Sequence, residues 1–343
     1  MSTADDTLAL TVEEIRIKIE DYRTTIHALQ AFVGFVTWDD ANVTILPGSR
    51  SSLGRRMETS SLNKVAASTV VTPDAVIQRT PILGYVVEVK KSLPRNNDLW
   101  RRIVAQLLKY DDNLQGWWTY NEEIEKSCIV LLIEISRAAD FKNYLQGLIN
   151  ANEVRFDRPF SIIEFTRAPE VKEFLFIRKY WGEIEDQSIS DRLESGVKVP
   201  LEEVIATHGE LKFYDSPPVT EYLMAILWQD VFNERKSEIE YDEEYKAWVF
   251  EVSIDELTKD LQRLFGSEGN VSRDVQFPKN EWIQEAMNGF VNLGYAKKQS
   301  DDGNYLVLFK KIAGDVIERF AKHRVPSQKM VEKEATQLRL FNK

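Results

Sequence analysis

Two short segments of the 343-residue chain hold residue types that could act together: Thr72-Pro-Asp-Ala-Val-Ile-Gln78 and Tyr85-Val-Val-Glu-Val-Lys-Lys91. If the chain reverses at Pro81, Val76 pairs with Val86, Gln78 with Gly84, and Asp74 falls opposite Glu88. Opposed residues of antiparallel strands have Cβ atoms roughly 5 Å apart, close enough for two carboxylates to share one divalent cation. Side chains alternate along a strand, so Lys90 shares the face of Glu88 while Val87 and Val89 point into the core. Like charges facing each other in a sheet are unfavourable. Either an exposed face lets Lys90 neutralise one carboxylate, or the pair is kept together to hold a cation.

The elements around these residues must place them. Thr11 to Glu14 has the form of a capping box, and Ile15, Ile19, Tyr22, Ile26, Leu29 and Val33 then recur at helical spacing until Gly34. Phe35 to Leu46 reads as one or two strands around the turn Asp39 to Asn42. Gly48 to Ser61 reads as a loop, with a short helix from about Arg55 to Lys64. The pattern then predicts strands over Val70 to Gln78 and Gly84 to Lys91, and a helix capped by Asp98 that runs to about Leu114. Cys128 to Ile135 is apolar almost throughout, as in a strand covered on both faces. Phe141 to Ile149 follows as a helix, and Phe160 to Thr166 with Glu173 to Tyr180 as hairpin arms. Helix, strands, helix, strand is the order of a mixed α/β layer fold.

Composition sets the class. The chain is 43% apolar and 29% charged, enough to build two ordinary cores without staples. One cysteine, Cys128, allows no internal disulfide and suits a reducing, cytoplasmic setting. His27, His208 and His323 are too scattered for a Cys/His zinc site. The start of the chain lacks a signal-peptide pattern, and the apolar run Cys128 to Ile133 is too short for a membrane span. Net charge is −11, the wrong sign for a general nucleic-acid binder. Pro47 to Lys109 nevertheless carries eleven Lys/Arg against four Asp/Glu. That basic island is either a chance solvated face or the place where an anionic ligand meets the chain.

Pro73-Asp74, thirteen residues, then Glu88-Val-Lys90 resembles the signature of the PD-(D/E)XK nuclease superfamily, the restriction-endonuclease-like fold. Gln106 and Tyr110 on the following helix resemble the Gln-x-x-x-Tyr element of some branches; Leu99, Ile103, Gln106 and Tyr110 share one helical stripe. The resemblance covers roughly residues 10 to 150. It implies a mixed sheet flanked by helices and hydrolysis of DNA phosphodiesters, with RNA a further option. It also implies Mg²⁺ (or Mn²⁺) held by Asp74, Glu88 and the carbonyl of Val89. Lys90 would orient or help deprotonate the attacking water. A further acidic ligand near the first helix is expected, with Glu14, Glu20 and Glu58 as candidates and Glu58 preferred. Arg50, Arg55, Arg56, Lys91, Arg95, Arg101 and Arg102 are candidates for phosphate contacts.

Beyond residue 185 the texture changes, giving expected parts at 1–186 (nuclease-like domain), 187–216 (linker), 217–312 (winged helix-turn-helix-like domain) and 313–343 (basic C-terminal helix or tail). A helix opened by Pro217 or Pro218 reaches about Arg235. Then come the strand Ala247 to Val252, a helix capped by Ser253, a helix from about Pro278 to Leu293, and a hairpin around Asp301 to Asn304. This order resembles a winged helix, whose second helix would present Lys279, Asn280, Gln284 and Asn288 to a groove. Glu281 and Glu285 on the same helix suit DNA poorly, so a protein partner or a homodimer contact is the other expectation. A nuclease followed by a winged helix is similar to transposon-end-cleaving nucleases and to effectors of bacterial antiviral defence. The competing expectation is a non-catalytic adaptor with a nuclease-like scaffold.

Overall fold

The computed structural model describes residues 12–39, 44–60, 69–91, 93–119, 123–167, 174–265, 278–299, 303–309 and 315–324. The chain divides into two compact units. The first comprises Arg23–Ser216 and Phe265–Phe277; the second comprises Met1–Tyr22, Pro217–Leu264 and Pro278–Lys343.

The elements up to residue 208 are α1 (Val12–Thr37), β1 (Trp38–Asp39), β2 (Thr44–Ile45), β3 (Arg50–Leu53), β4 (Met57–Ser60), β5 (Thr69–Val71), β6 (Ala75–Thr80) and β7 (Leu83–Lys90). They continue with α2 (Asn97–Tyr110), β8 (Asn113–Gln115), β9 (Lys126–Glu134), α3 (Ile135–Asn150), β10 (Phe160–Arg167), β11 (Phe174–Gly182), α4 (Gln187–Ser195), β12 (Val197–Pro200) and α5 (Leu201–His208). Seven strands form one mixed sheet in the order β12-β11-β10-β9-β7-β6-β3. Only β7–β9 and β9–β10 are parallel; the other pairs run antiparallel. Strand β9 sits at its centre, buried from Ser127 to Ile133, which is why its sequence does not alternate.

Helices cover both faces of this sheet. Alternate residues of the central strands feed two cores. Tyr85, Val87 and Val89 pack with Phe32, Phe35 and Val204. Val76, Val86 and Leu131 pack on the other side with Ile103, Leu107 and Phe141. The chain is thus a mixed α/β protein with a large sheet between helices. None of the described helices is long and apolar enough to cross a membrane.

Several expectations are corrected. The apolar run Val70 to Gln78 is not one strand. It breaks at Thr72-Pro73-Asp74, so that β5 joins a three-stranded sheet (β5-β4-β8) and β6 joins the large one. Proline has no N–H to give a ladder, and it restricts the residue before it. Residues Arg55 to Ser60, expected as part of a short helix, hold β4; the remainder of that expectation, 61–64, lies outside the described residues. Helix α1 runs through Gly34 to Thr37. A Cβ at Gly34 would lie 2.9 Å from the Val204 side chain, so this glycine marks close packing rather than a helix end. Helix α2 is capped by Asn96 and not Asp98, the Asn96 side chain accepting from the amides of Asp98 and Leu99. The expected linker 187–216 is built into the first unit: α4, β12 and α5 lie there, and β12 is an edge strand of the large sheet.

The second unit has a helical stretch made of α6 (Thr220–Ile226), a π-helical turn (Leu227–Val231), α7 (Phe232–Glu234) and a 3₁₀ turn to Glu238. After it come β13 (Glu240–Asp242), β14 (Ala247–Ser253), α8 (Ile254–Phe265), α9 (Asn280–Asn292), β15 (Ala296–Lys298), β16 (Asn304–Phe309) and α10 (Val316–Arg324). The four strands form an antiparallel sheet, β13-β14-β16-β15. Ser253 and Glu256 cap α8 reciprocally, side chain to backbone in both directions. Thr11, the turn residues Asp301 and Asp302, and the tail beyond Arg324 lie outside the described residues.

Candidate active site

The β6–β7 hairpin has the register expected from a reversal at Pro81: Val76 pairs with Val86, Gln78 with Gly84, and Ala75 with Val87. Asp74 and Glu88 are the next residues beyond that last pair. Both are buried: Glu88 is 2% exposed and Asp74 6%. Burying two carboxyls is costly unless their oxygens are satisfied, and here they are. The backbone N–H of Val89 donates to Asp74 Oδ2 at 2.9 Å. Lys90 Nζ donates to Glu88 Oε1 at 2.5 Å and lies 4.0 Å from Asp74 Oδ2. The other Glu88 oxygen, Oε2, accepts from Tyr110 Oη at 2.8 Å and from Gln106 Nε2 at 3.0 Å. Gln106 also reaches Tyr110 Oη, at 2.8 Å.

Each strand or helix contributes by its own periodicity. Glu88 and Lys90 stand two apart on β7 and therefore on one face, the side covered by α2. Gln106 and Tyr110 stand four apart on α2 and point down together. Val89 projects its side chain into the opposite core and offers only its backbone to the site. The five side chains Asp74, Glu88, Lys90, Gln106 and Tyr110 are thus brought into one hydrogen-bonded cluster, with the Lys90 side chain 27% exposed.

The cluster is electrostatically tense. Burial, and then the charge of Glu88, push the Asp74 carboxyl up to about 8, against the opposing pull of Lys90 and the Val89 amide. At neutral pH it holds a proton that a free aspartate would have lost, in a hydrogen bond with Glu88. Burial alone would lower Lys90, but Glu88 and Asp74 carry it above its ordinary value, so it stands as an ammonium. Burial and the Glu88 charge both push Tyr110 up, which keeps its phenol a donor.

Glu58 does not join them. It is exposed on β4, in the three-stranded sheet, opposite Val70 and Gln115. Glu14 and Glu20 are exposed on the part of α1 that belongs to the second unit. Among the described residues no group of three or more His, Cys, Asp or Glu side chains is placed to hold a metal ion. The expected third acidic ligand is therefore missing from the described residues, and the carboxyl set is a pair.

One residue escaped the sequence reading. Tyr214, in the segment after α5, is raised chiefly by burial, against the pull of a hydrogen bond with Ser216, and it also feels Asp74, Lys90 and Glu88, so it stands within electrostatic reach of the cluster. No spacing in the sequence ties it to residues 74–90; only the return of the chain after α5 does so.

The basic island is partly spent on structure. Arg55 Nε donates to the Gly116 carbonyl at 2.7 Å, with its guanidinium 4.2 Å from the Trp118 ring centre. Arg79 pairs with Asp186 at 3.0 Å, and Arg95 with Asp140 at 3.0 Å. Arg50, Arg56, Arg101 and Arg102 are exposed, and Lys91 is half-buried.

In the second unit, the polar residues of α9 expected to face a groove bond within the unit. Asn280 meets Asp255 and Thr258 of α8, and both Gln284 and Asn288 reach the buried Tyr305 hydroxyl. Trp282, on the same helix, is buried and belongs to the core. No family model, curated protein or solved structure matches the chain.

Proposed function

We propose that the first unit is a metal-dependent nuclease of the PD-(D/E)XK type that hydrolyses DNA phosphodiester bonds, the second unit being a winged-helix accessory domain for DNA or partner binding. The observation that carries this reading is the convergence of Asp74, Glu88 and Lys90, with the Asp74 carboxyl held protonated by burial and by Glu88. Two hard oxygen ligands side by side, one kept protonated by burial and by its neighbour's charge, suit a divalent cation that displaces the proton. Asp74 and Glu88 would hold Mg²⁺ with the Val89 carbonyl, and the ion would supply Lewis-acid neutralisation at the phosphate.

The remaining work falls to this chain's side chains. Tyr110 and Gln106 both donate to one Glu88 oxygen and so fix the carboxylate's orientation. Lys90 is charged, which fits it to orient the attacking water and to stabilise the charge that develops on the phosphate oxygens. Proton abstraction by Lys90 is disfavoured while Glu88 and Asp74 hold its proton in place. The exposed Arg50, Arg56, Arg101 and Arg102 are available for backbone phosphates.

One observation favours the alternative of a non-catalytic adaptor. The Lys90 ammonium already reaches both carboxyls, and among the described residues no third carboxylate stands with them. Incubating the purified chain with supercoiled plasmid plus Mg²⁺ or Mn²⁺, beside Asp74→Ala and Glu88→Ala, separates the two. Nicking or linearisation that disappears with chelator and with each variant is expected. An inert wild-type chain, or cutting that persists in Asp74→Ala, overturns the nuclease reading.

A further inference from the structure

The second unit carries an exposed aromatic pair that the proposed chemistry leaves unused. Tyr241 on β13 lies directly opposite Trp248 on β14, and their rings meet edge to face with centroids 5.5 Å apart. Both stand largely in solvent, Trp248 at 54% and Tyr241 at 49%. Rings of this size dominate interface energetics once covered, and two side by side in water mark a surface with something to bind. The next residue in the row, Phe309 opposite Trp248, stacks on the buried Trp228 with centroids 5.4 Å apart. The exposed pair thus stands at the end of a sheet row rooted in the unit's core, and little ordering is needed before a ligand meets it.

The charge around the pair selects the ligand. Glu240, Glu243 and Glu244 are exposed on the same hairpin, and Asp242 accepts from the amides of Glu244 and Tyr245 at the turn. Glu238 is engaged by Arg235; Lys236 and Lys246 are the other basic groups of the segment, both exposed. Aromatic faces rimmed by carboxylates attract cations and repel phosphates. The sheet already shows that chemistry, for the Lys297 ammonium of β15 stands 3.8 Å from the Tyr245 ring centre.

We propose that the β13–β14 hairpin is a docking site for a Lys/Arg-rich peptide segment of a partner protein. A basic side chain covers the Trp248 face beside Tyr241, and its neighbours meet Glu243 and Glu244 at the turn. Charge decides among occupants: a nucleic-acid strand would bring phosphates to carboxylates, and a second copy of the hairpin would bring acid to acid. The inference does not depend on catalysis by the first unit.

The test is fluorescence anisotropy with the full chain and three labelled probes: a peptide of alternating Arg and Ser, the same peptide with Glu for Arg, and a single-stranded oligonucleotide. The Arg peptide is expected to bind in preference to the other two. Trp248→Ala and Tyr241→Ala should each weaken it about tenfold, and the doubly reversed Glu243→Lys/Glu244→Lys chain likewise. The melting midpoint should hold in the Glu243→Lys/Glu244→Lys chain, whose altered side chains are exposed, and fall only slightly in the aromatic variants, which lose one cross-strand ring contact. Failure of the wild-type chain to bind the Arg peptide would overturn the proposal. So would equal affinity in the aromatic variants, since binding would then be a diffuse effect of net charge. Preference for the oligonucleotide, or loss of a wild-type dimer in Trp248→Ala by sedimentation, would also sink it.

Discussion

Asp74 and Glu88 form a carboxyl pair one step beyond the last paired residues of the β6–β7 hairpin, Ala75 and Val87, and Asp74 is the member held protonated at neutral pH. Burial and the proximity of Glu88 raise Asp74 to about 8, even with Lys90 nearby. A divalent cation must displace that proton to bind. Mn²⁺ or Mg²⁺ affinity, measured by calorimetry, should therefore climb with pH and level off above about pH 8. About one proton should be released per ion below that point. A pH-independent affinity between pH 6 and 8 would mean that Asp74 is not a ligand.

The same proton makes Asp74 a stability liability. A carboxyl whose folded value lies above its unfolded one stabilises the fold fully only below the unfolded value of 3.8. That stability is lost as pH rises through the folded value of about 8. Asp74→Asn keeps an acceptor for the Val89 amide and removes the ionisation. Its unfolding free energy should match the wild-type value near pH 4 and exceed it at pH 8 and above, by an amount on the order of a few kcal/mol. Cleavage should be lost in the same variant. A variant less stable than wild type at pH 8 would show that the buried pair is not strained.

How far the site could be read in advance follows from how local its determinants are. The hairpin register was legible because a reversal at Pro81 and the alternation Val-Val-Glu-Val-Lys fix it within seventeen residues, Asp74 to Lys90. Gln106 and Tyr110 were legible because four-residue spacing puts two side chains on one helix face. Glu58 was not, since the break at Pro73 that sends β5 and β4 into a separate sheet is a matter of long-range pairing. Residues 187–216 looked like a linker because their polar composition hides an edge strand, β12, whose partner β11 supplies the order. Tyr214 reaches the cluster through the same return path, and nothing in its local sequence signals it.

Tyr110 and Gln106 orient Glu88 and touch no reacting atom, so their removal should be graded. Tyr110→Phe keeps the packing of a fully buried ring and deletes the donor to Glu88 Oε2, leaving Gln106 as that oxygen's partner. It should cost about 1–2 kcal/mol of stability and lower the cleavage rate by roughly tenfold with a raised Mg²⁺ requirement. Gln106→Ala should be milder, because Tyr110 still serves the same oxygen. Titrating Mg²⁺ against rate in both variants checks the order. Equal activity of Tyr110→Phe and wild type at every Mg²⁺ concentration would remove Tyr110 from the site.

Glu58 provides the contrast. Its exposed place on β4, apart from Asp74 and Glu88, predicts that Glu58→Ala leaves Mg²⁺ dependence and cleavage within about twofold of wild type and stability within about 0.5 kcal/mol. A large loss of activity would restore Glu58 as a ligand and require the three-stranded sheet to move.

Lys90 separates the catalytic from the structural part of the cluster. It is the only cation within 4.0 Å of both carboxyls among the described residues, and its raised value means that it stabilises the fold below about 10.5 and loses that effect as pH rises further. Removing it in Lys90→Ala leaves Glu88 without its ammonium partner. The cost should be smallest near pH 5, where Asp74 carries a proton, and should grow through pH 8 as Asp74 ionises, reaching on the order of 1–3 kcal/mol. Added Mg²⁺ should recover much of that loss, since a cation between the carboxyls replaces the missing charge, while cleavage stays abolished because nothing remains to orient the water. Melting curves at pH 5 and 8.5, with and without Mg²⁺, read all three effects. A pH-independent destabilisation that Mg²⁺ does not relieve would mean that Lys90 serves packing alone.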